Sequence, residues 1–427
     1  ENAYLEVASG QHDHVLAIGI QKMSDASTLE ATRIIAGVID RSEAEYGLTM
    51  PACGAFVARA LKRKLGLSDQ EWSAYSALLT ARSHRFSSQN PLAHLQEAIP
   101  VERYYQQVDS GENYRYWSPL RYHDYCPMSD GVAAVILTAK PQEVLVAGVG
   151  SATDIPTIAD RRYFHSFPAT VMAAGAAYGM AGLHSLAPLE GVVHVNMHDP
   201  FNGFGPINLV DLGVVSKNRL FDALLDDQLT GPGGQYPTNL TGGLKGRGHP
   251  LGATGMVQIV ENHRMMLEDG FKAGLSQSIG GPINNNVVVL LEQHDHYRQR
   301  FHEPYRPWGL PSLGVPKPKG VSIEAILSEQ GSVPGTFVDA TVRYHHKTGQ
   351  PEVVLLLVAC RFQGHSYRFL FGLAGESAPA VEALEPGASV LLERQGEVVT
   401  INRLPAIKRY QRTLSHMRDL AGAGRGR

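Results

Sequence analysis

The sequence predicts a layered α/β protein followed by a small all-β domain. Two observations predict this fold class. Between residues 1 and 293, continuous apolar runs of strand length alternate with helical stretches, which is typical of sheets buried on both faces. Beyond a proline-rich stretch at 303–320, short β-type runs follow one another with turn residues between them. That arrangement favours a small antiparallel barrel of OB-like form.

The first α/β half combines buried strands with a long, largely helical and polar insertion. A short helix over 2–8 is predicted to end at Ser9-Gly10, where the glycine suits a helix C-cap. A later helix begins at a capping box formed by Ser68 and Glu71. Three predicted strands lie at 14–24, 131–140 and 143–154.

The second α/β half repeats this alternation. The stretch HSFPATVMAAGAAYGMAGL is predicted to be helical after Pro168, and its alanine and glycine residues allow close approach of other backbones. The stretch GATGMVQIVENHRMMLED at 252–269 predicts a second helix. Predicted strands lie at 191–201 and 284–293.

Changes in composition predict the domain boundaries. Five prolines between 303 and 320 make that stretch extended and stiff, so a linker is predicted there. The predicted units are a first α/β half at 1–140 with an inserted region at about 25–125, a second half at 141–300, a linker at 301–322, a barrel at 323–405 and a tail at 406–427.

Composition excludes several classes of function. The formal net charge is −3, which gives no sign of a nucleic-acid surface. No apolar run reaches the length of a membrane span. The three cysteines, Cys53, Cys126 and Cys360, form neither a disulfide framework nor a metal spacing, so a reducing, cytoplasmic location is expected. The chain opens without methionine inside a helix, so a preceding segment is expected.

The run NLTGGLKGRGHPLGATG, at 239–255, is the first candidate for chemistry. Its glycines, including Gly248, are expected to keep a ligand-sized space free of side chains. Pro250 constrains the chain after His249, and the following helix N-terminus favours an anion or a developing negative oxygen. His249 is therefore a candidate acid, base or oxyanion donor. The alternative is a glycine-rich turn with a histidine that faces solvent.

Two other stretches are weaker candidates. VNMHDPFNGF delivers His198 and Asp199 from a strand end into a loop, where ligand-binding residues collect in α/β sheets. GLSQSIGGPINNN carries Ser278 and Gly281 in a predicted loop whose glycines let backbone approach a ligand. Each stretch alone also fits a structural turn.

Together, and in this order, these motifs resemble those of the thiolase superfamily, specifically its sterol-carrier-protein (SCP2) thiolase-like branch. HVLAIGIQKMS, RSHRFSSQNPLAH and YCPMSDGVAAVIL are similar to further segments of that family, so the resemblance covers about 1–293. It implies a layered α/β/α/β/α thiolase fold, truncated at the N-terminus, in which 25–125 includes the loop domain that covers coenzyme A. The barrel resembles the extra domain of some thiolase-like proteins.

The resemblance implies acyl transfer on coenzyme A thioesters, in lipid metabolism, with the thioester as substrate and no separate cofactor. It implies that His249 activates the nucleophile and helps to form an oxyanion hole, that His198 lines a second oxyanion site, and that Asn239 holds the His249 loop. Asp199 would support these groups from behind. Gly248, Ser278 and Gly281 would contact substrate or coenzyme A. Thiolases are usually oligomers, so a homodimer through this domain is one arrangement.

Two departures from the family pattern leave the activity open. The matching position for the nucleophilic cysteine lies about two turns before Glu1, and Cys53 and Cys126 match non-catalytic segments. Ser278 and Pro200 stand where relatives carry a second acid/base cysteine. The fragment is therefore expected to be inactive in thiolysis. The alternatives are a non-catalytic acyl-CoA binder, an inactive half of a hetero-oligomer, or an enzyme of retro-aldol type.

Three further features have competing interpretations. Lys62-Arg63-Lys64 and Arg82 with Arg85 could contact coenzyme A phosphates, or could form a solvated helix face. HDHYRQRFH, at 294–302, has metal-like histidine spacing, but a polar surface segment is favoured. Cys360 stands alone in the barrel, which argues against a four-cysteine zinc ribbon, so no metal is predicted.

Overall fold

The computed structural model describes residues 1–300, 321–395, 398–402 and 404–406, and this part of the chain contains three sheets. The predicted linker therefore lies almost wholly outside the described residues, as does the predicted tail beyond Ala406. The first 140 residues form, in chain order, α1 (Asn2–Ala8), β1 (His14–Gln21), α2 (Thr28–Ala36), α3 (Arg41–Ala44), α4 (Met50–Leu65), α5 (Asp69–Ser87), α6 (Val101–Asp109), β2 (Arg115–Trp117), β3 (Leu120–Arg121) and β4 (Gly131–Thr138).

The second α/β half carries most of the remaining helices. Its elements are β5 (Val144–Thr153), α7 (Pro168–Met180), β6 (Val193–Asn196), α8 (Phe204–Asp211), α9 (Asp227–Thr230), α10 (Gly243–Arg247), α11 (Thr254–Glu268), β7 (Ala273–Gly280), β8 (Asn285–Gln293) and α12 (His294–Arg300). The C-terminal part forms α13 (Ile323–Gln330), β9 (Ser332–Tyr344), β10 (Pro351–Phe362), β11 (His365–Ala374), α14 (Ala378–Glu382), β12 (Ser389–Gln395), β13 (Val398–Ile401) and β14 (Leu404–Pro405).

Local sequence signals predicted several element boundaries correctly. The Ser68 hydroxyl accepts the Glu71 amide at 3.2 Å, and the Glu71 carboxylate accepts the Ser68 amide at 2.8 Å, so the capping box is confirmed. Helix α7 begins at Pro168, where a proline suits the first helical position. Helix α13, in contrast, was missed, because a single helical turn or two beside a proline-rich stretch leaves a weak periodic signal.

The four-stranded sheet has the order β5-β8-β7-β6, in which β6 and β7 are parallel and the other pairs are antiparallel. Helix α7 packs directly on β5. A Cβ atom at Gly148 or Gly150 would collide with the backbone carbonyls of Ala177 or Ala173. The predicted close approach of backbones is therefore real, and it requires glycine on the strand as well as alanine on the helix.

The two-stranded sheet of β1 and β4 differs from the expectation of burial on both faces. The strands pair antiparallel, with Leu16 opposite Ile136. Helix α11 contacts both strands. Within the described chain, however, five large apolar side chains of this sheet are 57–70% exposed. They are Leu16, Ile18 and Ile20 on β1 and Val132 and Ile136 on β4. The period-2 alternation of side chains places all of these on one face.

The third sheet has the order β11-β10-β9-β12-β13-β14, and the β2–β3 hairpin joins it where Trp117 pairs with Arg343 of β9. An isolated bridge links Leu373 of β11 to Ala406. These pairings do not establish a closed barrel, so the OB-like form remains a prediction.

The C-terminal sheet is tightly joined to the α/β region. Side chains on one of its faces belong to the same apolar core as Phe56 of α4, and those on the other face pack with α13. Asp339 of β9, with a side chain 1% exposed, accepts hydrogen bonds from Arg59 at 2.9 Å and from both terminal nitrogens of Arg63 at 2.7 and 2.8 Å. A bidentate, charge-assisted contact of this kind fixes geometry as well as energy.

Candidate active site

The loop after β6 holds His198 through its backbone. The His198 amide donates to the Gln277 side chain at 2.8 Å, and the Asn208 side chain donates to the His198 carbonyl at 2.6 Å. The residue is only 5% exposed. Because both backbone groups are bonded to buried side chains, the direction of the His198 ring is set by the surrounding structure.

The glycines around His249 have a different role from the one the sequence suggests. A Cβ atom at Gly242 or Gly246 would lie 2.5 Å from the Ser87 side chain of α5, and one at Gly248 would lie 2.8 Å from the Ser129 hydroxyl. These glycines therefore bring protein backbone onto α5 and the 129 loop. They do not primarily clear space for a ligand. Gly248 also has a φ of +115°, which side chains other than glycine rarely adopt.

The two candidate histidines face each other. The ring centroids of His198 and His249 are 5.1 Å apart, and the ring planes are inclined at 83°. Nδ1 of His249 lies 2.7 Å from the Thr254 hydroxyl, at the start of α11. Nδ1 of His198 is buried and has no hydrogen-bond partner among the described residues. A buried polar nitrogen without a partner is costly unless something supplies one.

Burial keeps both imidazoles neutral. Loss of hydration, with a smaller contribution from the Arg247 charge, lowers the pKa of His249 to about 3. Loss of hydration also lowers the pKa of His198 well below its ordinary value, with the neighbouring His249 and Arg247 acting in the same direction. A neutral ring offers one N–H donor and one acceptor nitrogen. The site therefore presents two uncharged imidazoles at neutral pH.

Asn239 and Asp199 fix the two histidine loops to one another. The Asn239 side chain accepts the Met197 amide at 2.8 Å and donates to the Met197 carbonyl at 3.3 Å. Asp199 accepts the Leu244 amide at 2.7 Å, at the start of α10. Burial raises the pKa of Asp199 to about 6, although that hydrogen bond and nearby cations oppose the rise. Asn239 thus braces the backbone next to His198, and Asp199 bonds to the start of α10; the roles predicted for them stay predictions.

Ser278 lies on a strand rather than in the predicted loop. Residues 273–280 form β7, which pairs with β6 through 273–276 and with β8 along its whole length. The turn therefore begins only at Gly281. A Cβ atom at Gly255 of α11 would lie 3.4 Å from the Ser278 hydroxyl. Ser278 therefore flanks the start of the helix that carries Thr254. Gly281 has a φ of +59° in the turn, and its predicted ligand contact remains a prediction.

None of the three cysteines has the surroundings of an activated nucleophile. Cys126 lies beside the histidine loop, where its amide donates to the Pro200 carbonyl. Burial nevertheless raises the pKa of its thiol to about 12. Burial also raises the pKa of Cys53 and of Cys360. The thiol form dominates at neutral pH, and it attacks carbonyl carbon poorly.

The basic residues proposed for phosphate contact have structural partners. Lys62 pairs with Asp69, Arg63 pairs with Asp339, and Arg85 pairs with Asp227. Arg82 is buried and donates to the carbonyls of Thr230 and Thr238. The ion-paired Arg63 and Arg85 side chains are 40% and 47% exposed, which fits the predicted solvated helix face, whereas the buried Arg82 does not. Within the described ranges, no group of three or more histidine, cysteine or acidic residues could hold a metal ion.

Sequence reasoning missed the residues that orient the pair. Thr254 was read only as part of a small-residue helix start, yet it contacts the His249 ring. Gln277 was treated as loop, yet it holds the His198 backbone. The buried ion pair between Arg247 and Glu261 joins α10 to α11. The sequence did contain a signal for this polar network: Gln258, Glu261 and Asn262 lie on one face of the predicted helix.

The sheet arrangement and the histidine pair define a thiolase-type α/β protein. The "Thiolase C-terminal domain-like" family model matches residues 150–293. The acetyl-CoA acetyltransferase of Methanothermobacter thermautotrophicus is 34% identical over 306 residues, which cover 68% of this chain and 75% of that protein. The chain belongs to the thiolase superfamily, which confirms that part of the resemblance.

Two solved structures share the fold. A monomeric SCP2-thiolase like protein type 1 from Mycobacterium smegmatis matches with a TM-score of 0.63 at 20% identity, over 92% of this chain and 78% of that chain. The Ltp2-ChsH2(DUF35) aldolase matches with a TM-score of 0.54 at 20% identity, over 68% of this chain and 75% of that chain. No helix in the described part of the chain is both long and apolar enough to cross a membrane.

Proposed function

We propose that this protein is a thiolase-like acyltransferase that binds coenzyme A thioesters and polarises the thioester carbonyl between His198 and His249. The observation that carries this proposal is the neutral, buried histidine pair, with ring centroids 5.1 Å apart and an unpartnered Nδ1 on His198. A carbonyl oxygen that enters this space accepts hydrogen bonds from imidazole N–H groups. The reaction class is Claisen condensation or thiolysis of 3-ketoacyl-CoA.

Preorganisation supports an oxyanion role. Asn239 and Asp199 hold the two loops before any substrate arrives, so donors aimed at a developing negative oxygen need little reorganisation. The low pKa of His249, about 3, makes the free imidazole a weak base. Hydrogen-bond donation therefore suits this histidine better than proton abstraction from a thiol.

A second function is the binding of acyl-CoA without thiolysis, or with carbon–carbon cleavage of the retro-aldol type. The raised pKa values of Cys53 and Cys126 favour it, as do Pro200 and Ser278 at the positions of the second acid/base group. Both functions use the same carbonyl-polarising pair. They differ in whether an acyl group is transferred to a cysteine.

The experiment measures three properties of the same protein: binding, proton exchange and thiolysis. Calorimetry with acetyl-CoA measures binding. Deuterium uptake at the methyl carbon (C2) of acetyl-CoA in D2O, followed by NMR, reports polarisation of the carbonyl, because these protons exchange only slowly in water alone. The substrate for the third readout is acetoacetyl-CoA. Release of acetyl-CoA after addition of coenzyme A reports thiolysis.

On a chain that includes the cysteine predicted before Glu1, the thiolase proposal expects all three signals, and His249→Asn should lose the second and third. Binding and C2 exchange without cleavage would favour the second function. No binding of acetyl-CoA at about 5 mM would overturn both functions. The control is His263→Asn, which replaces an exposed histidine on α11.

A further inference from the structure

Two adjoining cavities lie away from the histidine pair. The first, of about 410 Å³, lies between α5, α6 and the β2–β3 hairpin. The second, of about 240 Å³, lies between that hairpin and the turn after β9. Arg115 and Arg121 line both cavities, so the cavities meet at these two guanidinium groups. We call the two cavities together the arginine cleft. The larger one is within the usual size range of small-molecule sites.

Both arginines keep their charge available to a ligand. Within the described chain, Arg115 lies over the Tyr344 ring, 5.6 Å from its centroid, and the Arg121 side chain donates to the Asn113 carbonyl at 3.2 Å. Neither forms an ion pair with a carboxylate of the described residues. Two carboxylates line the first cavity, but each has its own partners.

Those two carboxylates are already occupied. Asp69 pairs with Lys62, and that contact is the main cause that lowers the pKa of Asp69, with a smaller contribution from the charge of Arg115. Asp124 accepts hydrogen bonds from Tyr104 at 3.0 Å and from Asn202 at 2.9 Å. The cleft therefore presents a net excess of hydrogen-bond donors around two cations.

Two further residues that line these cavities carry N–H donors. Trp72 lines the first cavity, is 2% exposed, and its indole N–H is buried without a partner among the described residues. His345 lines the second cavity, and its Nδ1 accepts the backbone amides of Lys347 at 3.3 Å and Thr348 at 3.2 Å. In the neutral ring the proton is then on Nε2, which is a donor. An acceptor-rich anion would satisfy these groups.

Aromatic rings supply the remaining surface. Tyr105 lines the first cavity, and Tyr114 and Tyr344 line the second. Tyrosine faces stack well on planar heterocycles, and nucleic-acid bases use such platforms. Arginine forks match the oxygens of phosphate groups.

We propose that the arginine cleft binds a nucleotide, with its phosphates at Arg115 and Arg121 and its base against the tyrosine rings. The site is built jointly by the inserted α/β segment and the C-terminal sheet. It contains neither His198 nor His249, so it does not depend on the proposed acyl transfer. The ligand proposed is a free nucleotide.

The test is calorimetry with ADP, with adenosine and pantetheine as comparison ligands. We expect ADP to bind with a dissociation constant below about 1 mM and adenosine to bind far more weakly. Arg115→Gln and Arg121→Gln should each weaken ADP binding at least about tenfold, because each removes charged hydrogen bonds to phosphate. Arg361→Gln, at an exposed arginine of β10, is the matched control. Melting curves establish that each variant is folded.

Photolabelling tests the location without relying on variants. An azido derivative of ADP should label peptides that contain 114–121 or 344–349. Displacement of the label by coenzyme A but not by pantetheine would make the cleft part of a coenzyme A site and would overturn the proposal of a separate nucleotide site. Retention of the label in the presence of coenzyme A assigns a free nucleotide.

Three further results would overturn the proposal: no ADP binding at about 5 mM, binding unchanged in both arginine variants, or labelling confined to other peptides. His249→Asn should bind ADP as the parent does. Loss of the proposed acyl-transfer function would therefore leave this result unchanged.

Discussion

The low pKa of His249 predicts a measurable loss of stability in mild acid. Its pKa falls from 6.5 to about 3 on folding, so the folded protein binds fewer protons than the unfolded chain. The stabilisation is therefore complete above pH 6.5 and is lost as the pH falls towards 3. Applying these two pKa values at pH 5 gives a loss of about 2 kcal/mol relative to pH 8.

The perturbation that isolates this effect is His249→Asn. The asparagine amide can occupy the position of Nδ1 beside the Thr254 hydroxyl, and it does not titrate. Urea unfolding at pH 8 and pH 5, followed by the fluorescence of the buried Trp72 and Trp117, measures the free energy of unfolding of this region. The variant should lose about 2 kcal/mol less than the parent between the two pH values.

The matched control is His263→Asn, at an exposed histidine of α11. It should leave the pH dependence of the parent unchanged. If His249→Asn and the parent lose the same stability between pH 8 and pH 5, the imidazole is hydrated in the folded protein. The inference that both rings are neutral and preorganised by burial would then be refuted.

Three other substitutions test the supports of the site and of the fold. Asn239→Ala should cost about 2–3 kcal/mol in urea unfolding, because it removes both hydrogen bonds to the neighbouring histidine loop; Asn239→Gly, which tolerates the φ of 49°, should cost less. Asp339→Asn should lower stability by about 2–3 kcal/mol, and an effect no larger than that of exposed Glu385→Gln would contradict the anchoring role. Gly246→Ala should destabilise the protein by about 1–3 kcal/mol, because the new Cβ atom meets Ser87. Gly255→Ala leaves 3.4 Å to the nearest atom and should fall within about 0.5 kcal/mol of the parent. Equal thermal midpoints for the two variants would disprove the packing argument.

The glycine-rich run shows how far local sequence could lead. GRGHPLGATG correctly indicated a constrained backbone around His249, because left-handed glycines and a fixed proline are properties of a few adjacent residues. It gave the wrong reason for the glycines. Ser87, which Gly246 lies against, is more than 150 positions away in the chain, and no local pattern records that approach.

The cationic residues show the same limit from the other side. Lys62, Arg63 and Arg85 look alike in the sequence, as surface charges or as phosphate ligands. Their partners are Asp69, Asp339 and Asp227, and two of these are remote in the chain. Whether a cation is free for a ligand is decided by which carboxylate packs beside it. The sequence analysis did not single out Arg115 and Arg121, because the pairing of cations with carboxylates is not visible in the sequence.

The sequence by itself determined the superfamily through the resemblance of its motifs, and those motifs singled out the two histidines. It determined the α/β alternation because turn chemistry, caps and side-chain periodicity act within a few residues. The tertiary structure alone decided that the His198 and His249 rings face each other at 5.1 Å, since Asn239, Gln277 and Thr254 reach them from separate elements. Burial then set their charge state. Neutral imidazoles at neutral pH are a consequence of packing, which removes the water that would otherwise stabilise the protonated ring.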